Sequence, residues 1–166
     1  SYIVIKDGGL INNGTYTKGT ETVTFSGTAA RTISGSSDTE LNNLVVSNTG
    51  GITTQLELLT VSNLTVASGS KFTIDPAKDV TVNGTAALNG TECMIIKSDA
   101  AGTGSFIDNN ITGTSTQKVE KYLASSNTNG WTVAAPVKMA NQSIFAGHVN
   151  TYYYNPLTPG WSVFNS

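Results

Sequence analysis

The segment Leu58-Leu59-Thr60-Val61-Ser62-Asn63-Leu64-Thr65-Val66 decides how this chain is read, together with Val80-Thr81-Val82 and Ala86-Ala87-Leu88 further on. Each is β-branched or aliphatic and alternates apolar residues with Thr or a small residue, the pattern of a half-buried strand. Similar pieces lie on both sides: Thr22-Val23-Thr24-Phe25, Leu44-Val45-Val46 and Phe72-Thr73-Ile74. Between them stand Asn13-Gly14, Ser26-Gly27, Ser34-Gly35, Thr49-Gly50-Gly51, Ser68-Gly69, Asn83-Gly84 and Asn89-Gly90. Gly and Asn tolerate positive φ, which tight corners demand.

The spacing carries the argument. The pairs Val23/Phe25, Leu44/Val46, Leu64/Val66 and Ala86/Leu88 recur every 20 to 22 residues. A second set runs Ile33, Leu56, Phe72/Ile74 and Met94/Ile96, and a third runs Leu41, Leu59/Val61 and Val80/Val82. Three interleaved sets with one period describe a chain that winds in coils, each carrying three short strands that stack on their equivalents one turn later. The fold expected is all-β: a parallel β-helix over residues 1–117, about 20–22 residues per coil, its repeats ending near Ile111-Thr112-Gly113-Thr114. An antiparallel sandwich competes, because Asn-Gly is also a hairpin signal. Hairpins impose no shared period on three sets of positions.

Composition agrees. Gly, Ser, Thr and Asn make up roughly 45% of the 166 residues, all poor in helix interiors. A narrow coil needs few apolar residues, so 38% hydrophobic content suffices. Net charge is −2 with 12% charged residues, which argues against nucleic acid as partner. No apolar run reaches the length of a membrane helix, so no membrane span is expected.

From residue 118 the texture changes. Residues 118–166 are expected to form, or begin, a second, aromatic-rich β unit containing Trp131, Phe145, Tyr152, Tyr153, Tyr154, Trp161 and Phe164. The abrupt ends at Ser1 and Ser166 suggest a piece of a longer polypeptide. Strand alternation sets Tyr153 opposite to Tyr152 and Tyr154, and core filling is favoured over a sugar-stacking platform.

Chemistry is sparse. One Cys, Cys93, lies in the apolar run Cys93-Met94-Ile95-Ile96 and reads as a core side chain; the single His, His148, is far along the chain. Asp75 and Asp79 are close but flank Pro76-Ala77-Lys78, so they read as turn formers and not as paired catalytic carboxylates. Calcium motifs are absent, zinc would need more His or Cys, and Gly102-Thr103-Gly104-Ser105 lacks the Lys of a phosphate loop. No catalytic residue, metal ligand or cofactor is assigned, and no ligand-binding residue is named. Sequons such as Asn13-Gly14-Thr15, Asn63-Leu64-Thr65 and Asn83-Gly84-Thr85 read as corners.

Two stretches resemble a known family. Thr22 to Gly35, then Leu41-Asn42-Asn43-Leu44-Val45-Val46-Ser47-Asn48, is similar to the repeat "G-x-V-x-F-x-G-x-x-x-Q-x-I-x-G … F-x-N-L-x-I-x-N" of secreted, cell-surface β-helical, adhesin-like proteins of Bacteroidetes-type bacteria. Arg31 replaces the usual Gln and Leu41 the frequent Phe. Val119-Glu120-Lys121-Tyr122-Leu123 with Trp131-Thr132-Val133-Ala134-Ala135-Pro136-Val137 resembles the "V-x-R-Y-L … W-x-x-[IV]-[SA]-x-P-V" junction after such arrays. The resemblance implies a secreted or cell-surface, non-catalytic structural or adhesive protein: a rigid spacer or a filament component. Its partners would be other domains of a longer surface protein, further copies of itself, or glycans. A carbohydrate-binding or carbohydrate-active module is the alternative, and an ice-binding solenoid the third.

Overall fold

The computed structural model describes residues 1–123, 152–155 and 160–163. Among them there is no helix, and residues 2–119 wind as a parallel β-solenoid. One six-stranded sheet contains, in spatial order, β1 (Tyr2–Ile5), β3 (Thr22–Phe25), β5 (Thr39–Val46), β7 (Leu58–Val66), β9 (Asp79–Leu88) and β13 (Ser105–Thr112). The second contains β2 (Leu10–Ile11), β4 (Arg31–Ser34), β6 (Ile52–Thr54), β8 (Phe72–Ile74), β10 (Gly90–Ile96) and β14 (Ser115–Val119). Every neighbouring pair in both sheets is parallel.

The register reproduces the sequence period. Ile3, Val23, Leu44, Leu64, Ala86 and Ile111 are successive partners, at steps of 20, 21, 20, 22 and 25 residues. The last step is longest because β11 (Ser98–Asp99) and β12 (Gly102–Thr103) form a small antiparallel hairpin inserted in that coil.

Each coil has three faces, although only two sheets are counted. In β5 the buried residues are Thr39, Leu41, Leu44 and Val46, so the alternation breaks between Leu41 and Leu44. Two consecutive residues, Asn42-Asn43, turn the strand through a corner without interrupting the ladder. Ser62-Asn63 makes the same corner in β7, in register with β5 through Asn63 opposite Asn43 but with a register shift against β9 between Val61 and Leu64. The expected first and third sets are therefore two arms of one bent strand. Face one carries residues 2–5, 22–25, 43–46, 63–66, 85–88 and 110–112. Face two carries 39–41, 58–61, 79–82 and 105–108. Face three carries 10–11, 31–34, 52–54, 72–74, 94–96 and 117–119.

Asparagines hold the corners. Asn43 Nδ2 donates to Thr22 Oγ1 at 3.3 Å, Asn63 Nδ2 donates to Asn43 Oδ1 at 3.0 Å, and the Thr85 amide donates to Asn63 Oδ1 at 3.1 Å. Asn48, fully buried at another corner, donates to the Ser26 and Ala29 carbonyls and accepts from the Gly50 amide. A buried amide so satisfied replaces backbone bonds that the turn cannot make.

Inside runs one column of stacked Val, Leu, Ile and Phe, including the expected Phe25, Val46, Val66 and Leu88, each 0% exposed. Burying such a side chain contributes about 1.5–3 kcal/mol. Two expectations need correction. Leu56 is buried but lies between β6 and β7, outside the second set; that row runs Leu10, Ile33, Thr54, Ile74, Ile96. In this coil the row is filled by Thr54, next to buried Ile52, and a polar residue there hid the row from a hydrophobic pattern. The repeats also do not stop at residues 111–114, because β14 pairs with β10 and adds a further strand.

The chain divides into two compact units, Ser1–Ser126 and Asn127–Ser166. In the second, β15 (Tyr152–Asn155) and β16 (Gly160–Val163) pair antiparallel, with Tyr154 opposite Trp161. Trp131, Phe145, His148 and Phe164 lie outside the described residues.

Candidate functional site

The described charges are spent mostly on joining coils. Ion pairs link Lys18 to Glu40, Arg31 to Asp7 at 3.1 Å, Lys78 to Glu57, Lys71 to Glu92 at 3.6 Å and Lys97 to Asp75 at 3.4 Å. In each pair the partners are 21 to 24 residues apart, which is one coil. Lys118 and Glu120 pair within a strand end at 3.0 Å. Exposed pairs of this kind contribute about 0–1 kcal/mol each, so they tune stacking and do not drive it.

Face one carries none of these charges. Its outward side chains, coil by coil, are Tyr2 and Val4, Thr22 and Thr24, Asn43 and Val45, Asn63 and Thr65, Thr85 and Ala87, Asn110 and Thr112. Neighbouring rungs lie about 4.8 Å apart, so Thr24, Val45, Thr65, Ala87 and Thr112 form a single straight row. Read along the chain, Thr65 stands alone between Leu64 and Val66, and nothing marks the row; it becomes visible only once the register of β3, β5, β7, β9 and β13 is fixed.

Asp75 is a turn residue. Its carbonyl accepts the Lys78 amide at 3.3 Å across Pro76-Ala77, with Ala77 at φ 55. Its carboxylate accepts from Gln55 Nε2 at 3.1 Å and pairs with Lys97, residues one coil to either side. Asp79 opens β9, exposed, its amide bonded to the Glu57 carbonyl. The neighbours of Asp75 are thus a cation and an amide, with the Asp79 carboxyl not among its bonding partners.

Cys93 is 0% exposed and belongs to the core cluster. Burial pushes its thiol pKa up, against the opposing hydrogen bonds from Ser115 and the backbone, so it stays protonated and unreactive at neutral pH.

The one buried carboxylate is Glu21, 4% exposed, a residue that the sequence reading left unassigned. Burial raises its pKa, but amides of Asn42, Glu21 itself and Gly19, and the Tyr16 hydroxyl, all bond the ionised form and hold the pKa below the ordinary carboxylate range. The Gly19 and Asn42 amides lie 2.8 and 3.1 Å from its oxygens. Face two has no strand ahead of the 39–41 arm of β5, and residues 12–21 span that gap. Asn12 Nδ2 anchors one end on the Asp38 carbonyl and Thr39 Oγ1, and Glu21 anchors the other. Glu21 is therefore a structural clamp.

Among the described residues no group of three or more His, Cys, Asp or Glu is placed to hold a metal ion. No helix among them is long and apolar enough to cross a membrane. Comparison of the chain with protein families, with curated proteins and with solved structures returns no match.

Proposed function

We propose that this chain is a non-catalytic extracellular element of a bacterial surface protein: a rigid β-solenoid spacer with one adhesive face. The observation that carries the reading is the segregation of its surface. Ion pairs on the other faces tie coil to coil, while face one presents uncharged Thr, Asn, Val and Ala in rows. A solenoid of this kind gains length without enlarging its core, which suits a spacer. The adhesin-like resemblance supports the same reading, because Thr22–Asn48 spans β3, β4 and β5, the segment that closes one coil and starts the next. Its partners on this reading are other domains of a longer surface protein, further copies of itself, or glycans.

The row Thr24, Val45, Thr65, Ala87, Thr112 favours a second reading, an ice-binding face, since small hydroxyl and methyl groups repeat there at a fixed spacing. One set of assays separates the readings. The purified protein is incubated with a panel of polysaccharides, with and without calcium, and reducing ends and unsaturated uronates are measured; thermal hysteresis is read in parallel. The spacer reading expects no turnover and no hysteresis. Turnover that disappears in Asp75→Asn or Asp79→Asn overturns it in favour of an enzyme, and hysteresis overturns it in favour of ice binding.

A further inference from the structure

The described residues contain three Asn-Gly dipeptides, and the fold treats them differently. At Asn13-Gly14, Asn13 Oδ1 accepts from the Ser36 amide at 3.1 Å, and the Gly14 nitrogen is occupied by Asn12 Oδ1 at 3.1 Å. At Asn89-Gly90, Asn89 Nδ2 donates to the Val66 carbonyl at 3.3 Å, and the Gly90 nitrogen donates to the Thr114 carbonyl at 2.9 Å. In both, side chain and attacking nitrogen are held apart by separate partners.

Asn83-Gly84 is unlike them. It sits inside β9 at the corner between faces two and one. The β7 register passes from Val82 to Ala86 and the β13 register from Val82 to Thr85, so Asn83 and Gly84 have no ladder partner on either side. Asn83 is exposed, and its side-chain amide has no hydrogen-bond partner among the described residues; only its carbonyl is engaged, by Asn109 Nδ2 at 2.5 Å. Residue 84 is obliged to be glycine, because a Cβ there would stand 2.6 Å from both Asn63 Oδ1 and the Ser62 carbonyl oxygen. Packing of the asparagine corner therefore dictates the least hindered residue after an unrestrained Asn.

We propose that Asn83 is a site of spontaneous covalent modification in the folded protein, converting to aspartate and isoaspartate. The Gly84 nitrogen attacks Cγ of Asn83, forming a C–N bond. The side-chain amine leaves as ammonia, taking up the proton lost from Gly84, and a five-membered imide results. Water then opens one of the two imide C–N bonds, giving aspartate or its β-linked isomer. No oxidant or cofactor enters. The product puts a carboxylate at the rim of uncharged face one, and the double bulge absorbs the extra backbone atom of the isomer without breaking either ladder.

The test is peptide mapping by mass spectrometry after incubation of the intact chain at mildly alkaline pH, folded and in urea. In urea all three sites should convert at comparable rates. In the folded protein Asn83 should convert at least about tenfold faster than Asn13 or Asn89, whose amides are protected by native hydrogen bonds. Conversion of Asn13 or Asn89 at a rate matching Asn83 in the folded protein overturns the proposal. So does an intact Asn83 in folded protein when all three sites convert in urea.

Discussion

Thr54 is the least comfortable residue of this interior. It is 0% exposed, its hydroxyl has no partner, and it stands between Ile33 and Ile74 in the inward row of face three. An unpaired hydroxyl so placed costs about 1–3 kcal/mol. Thr54→Val keeps the shape and removes the orphan, and should stabilise the protein by roughly 1 kcal/mol. The outward Thr65→Val should change stability by about 0.5 kcal/mol or less. Urea midpoints of both variants against wild type check this; equal shifts would mean that the two threonines do not face opposite ways. The same residue marks where sequence reading reaches its limit. Val23, Leu44, Leu64 and Ala86 announce their row because each is apolar. Thr54 is as deeply buried, but a β-former that serves equally well outside gives no sign of which way it points, and apolar Leu56 nearby drew the row to itself.

At the scale of elements, the bent strands β5, β7 and β9 were legible as two sets of positions but not as one strand. The apolar pattern shows where side chains point inward. It does not show that Asn42-Asn43 turns the corner with the ladder intact, or that the ladder slips at Ser62-Asn63 against β9, since both depend on amide bonds between coils. The strap from Asn12 to Glu21 was not legible at all, because its anchor is a single acid in a polar stretch. It yields a pH prediction with a definite sign. The folded state holds the Glu21 pKa below its unfolded value, so its contribution is fully present above the unfolded value, about 4.3, and is lost as pH falls through the lower folded value. Glu21→Gln replaces an acceptor oxygen with a donor facing backbone amides. It should lower stability at neutral pH by about 1–3 kcal/mol and flatten the acid limb of the melting profile. A variant whose melting temperature falls with acid as steeply as wild type would show that Glu21 is not the clamp.

For the whole molecule, the period near 20 residues was written in the chain and proved to be the height of one coil. What the period cannot state is the pairing of charges, since Lys18 and Glu40, or Glu57 and Lys78, become neighbours only when one coil is set on the next. Face one is hidden for the same reason: its lack of charge is a property of stacked coils and of no single segment. The coils stack in parallel register, and that stacking sets each of these charges beside its partner on the neighbouring coil. Zero-length carbodiimide cross-linking of the folded protein, mapped by mass spectrometry, tests it most directly. The expected products are amide links Lys18–Glu40, Glu57–Lys78, Lys71–Glu92 and Asp75–Lys97, each spanning one coil. A product set confined to lysines and carboxylates of the same coil, with none of these four, would contradict it.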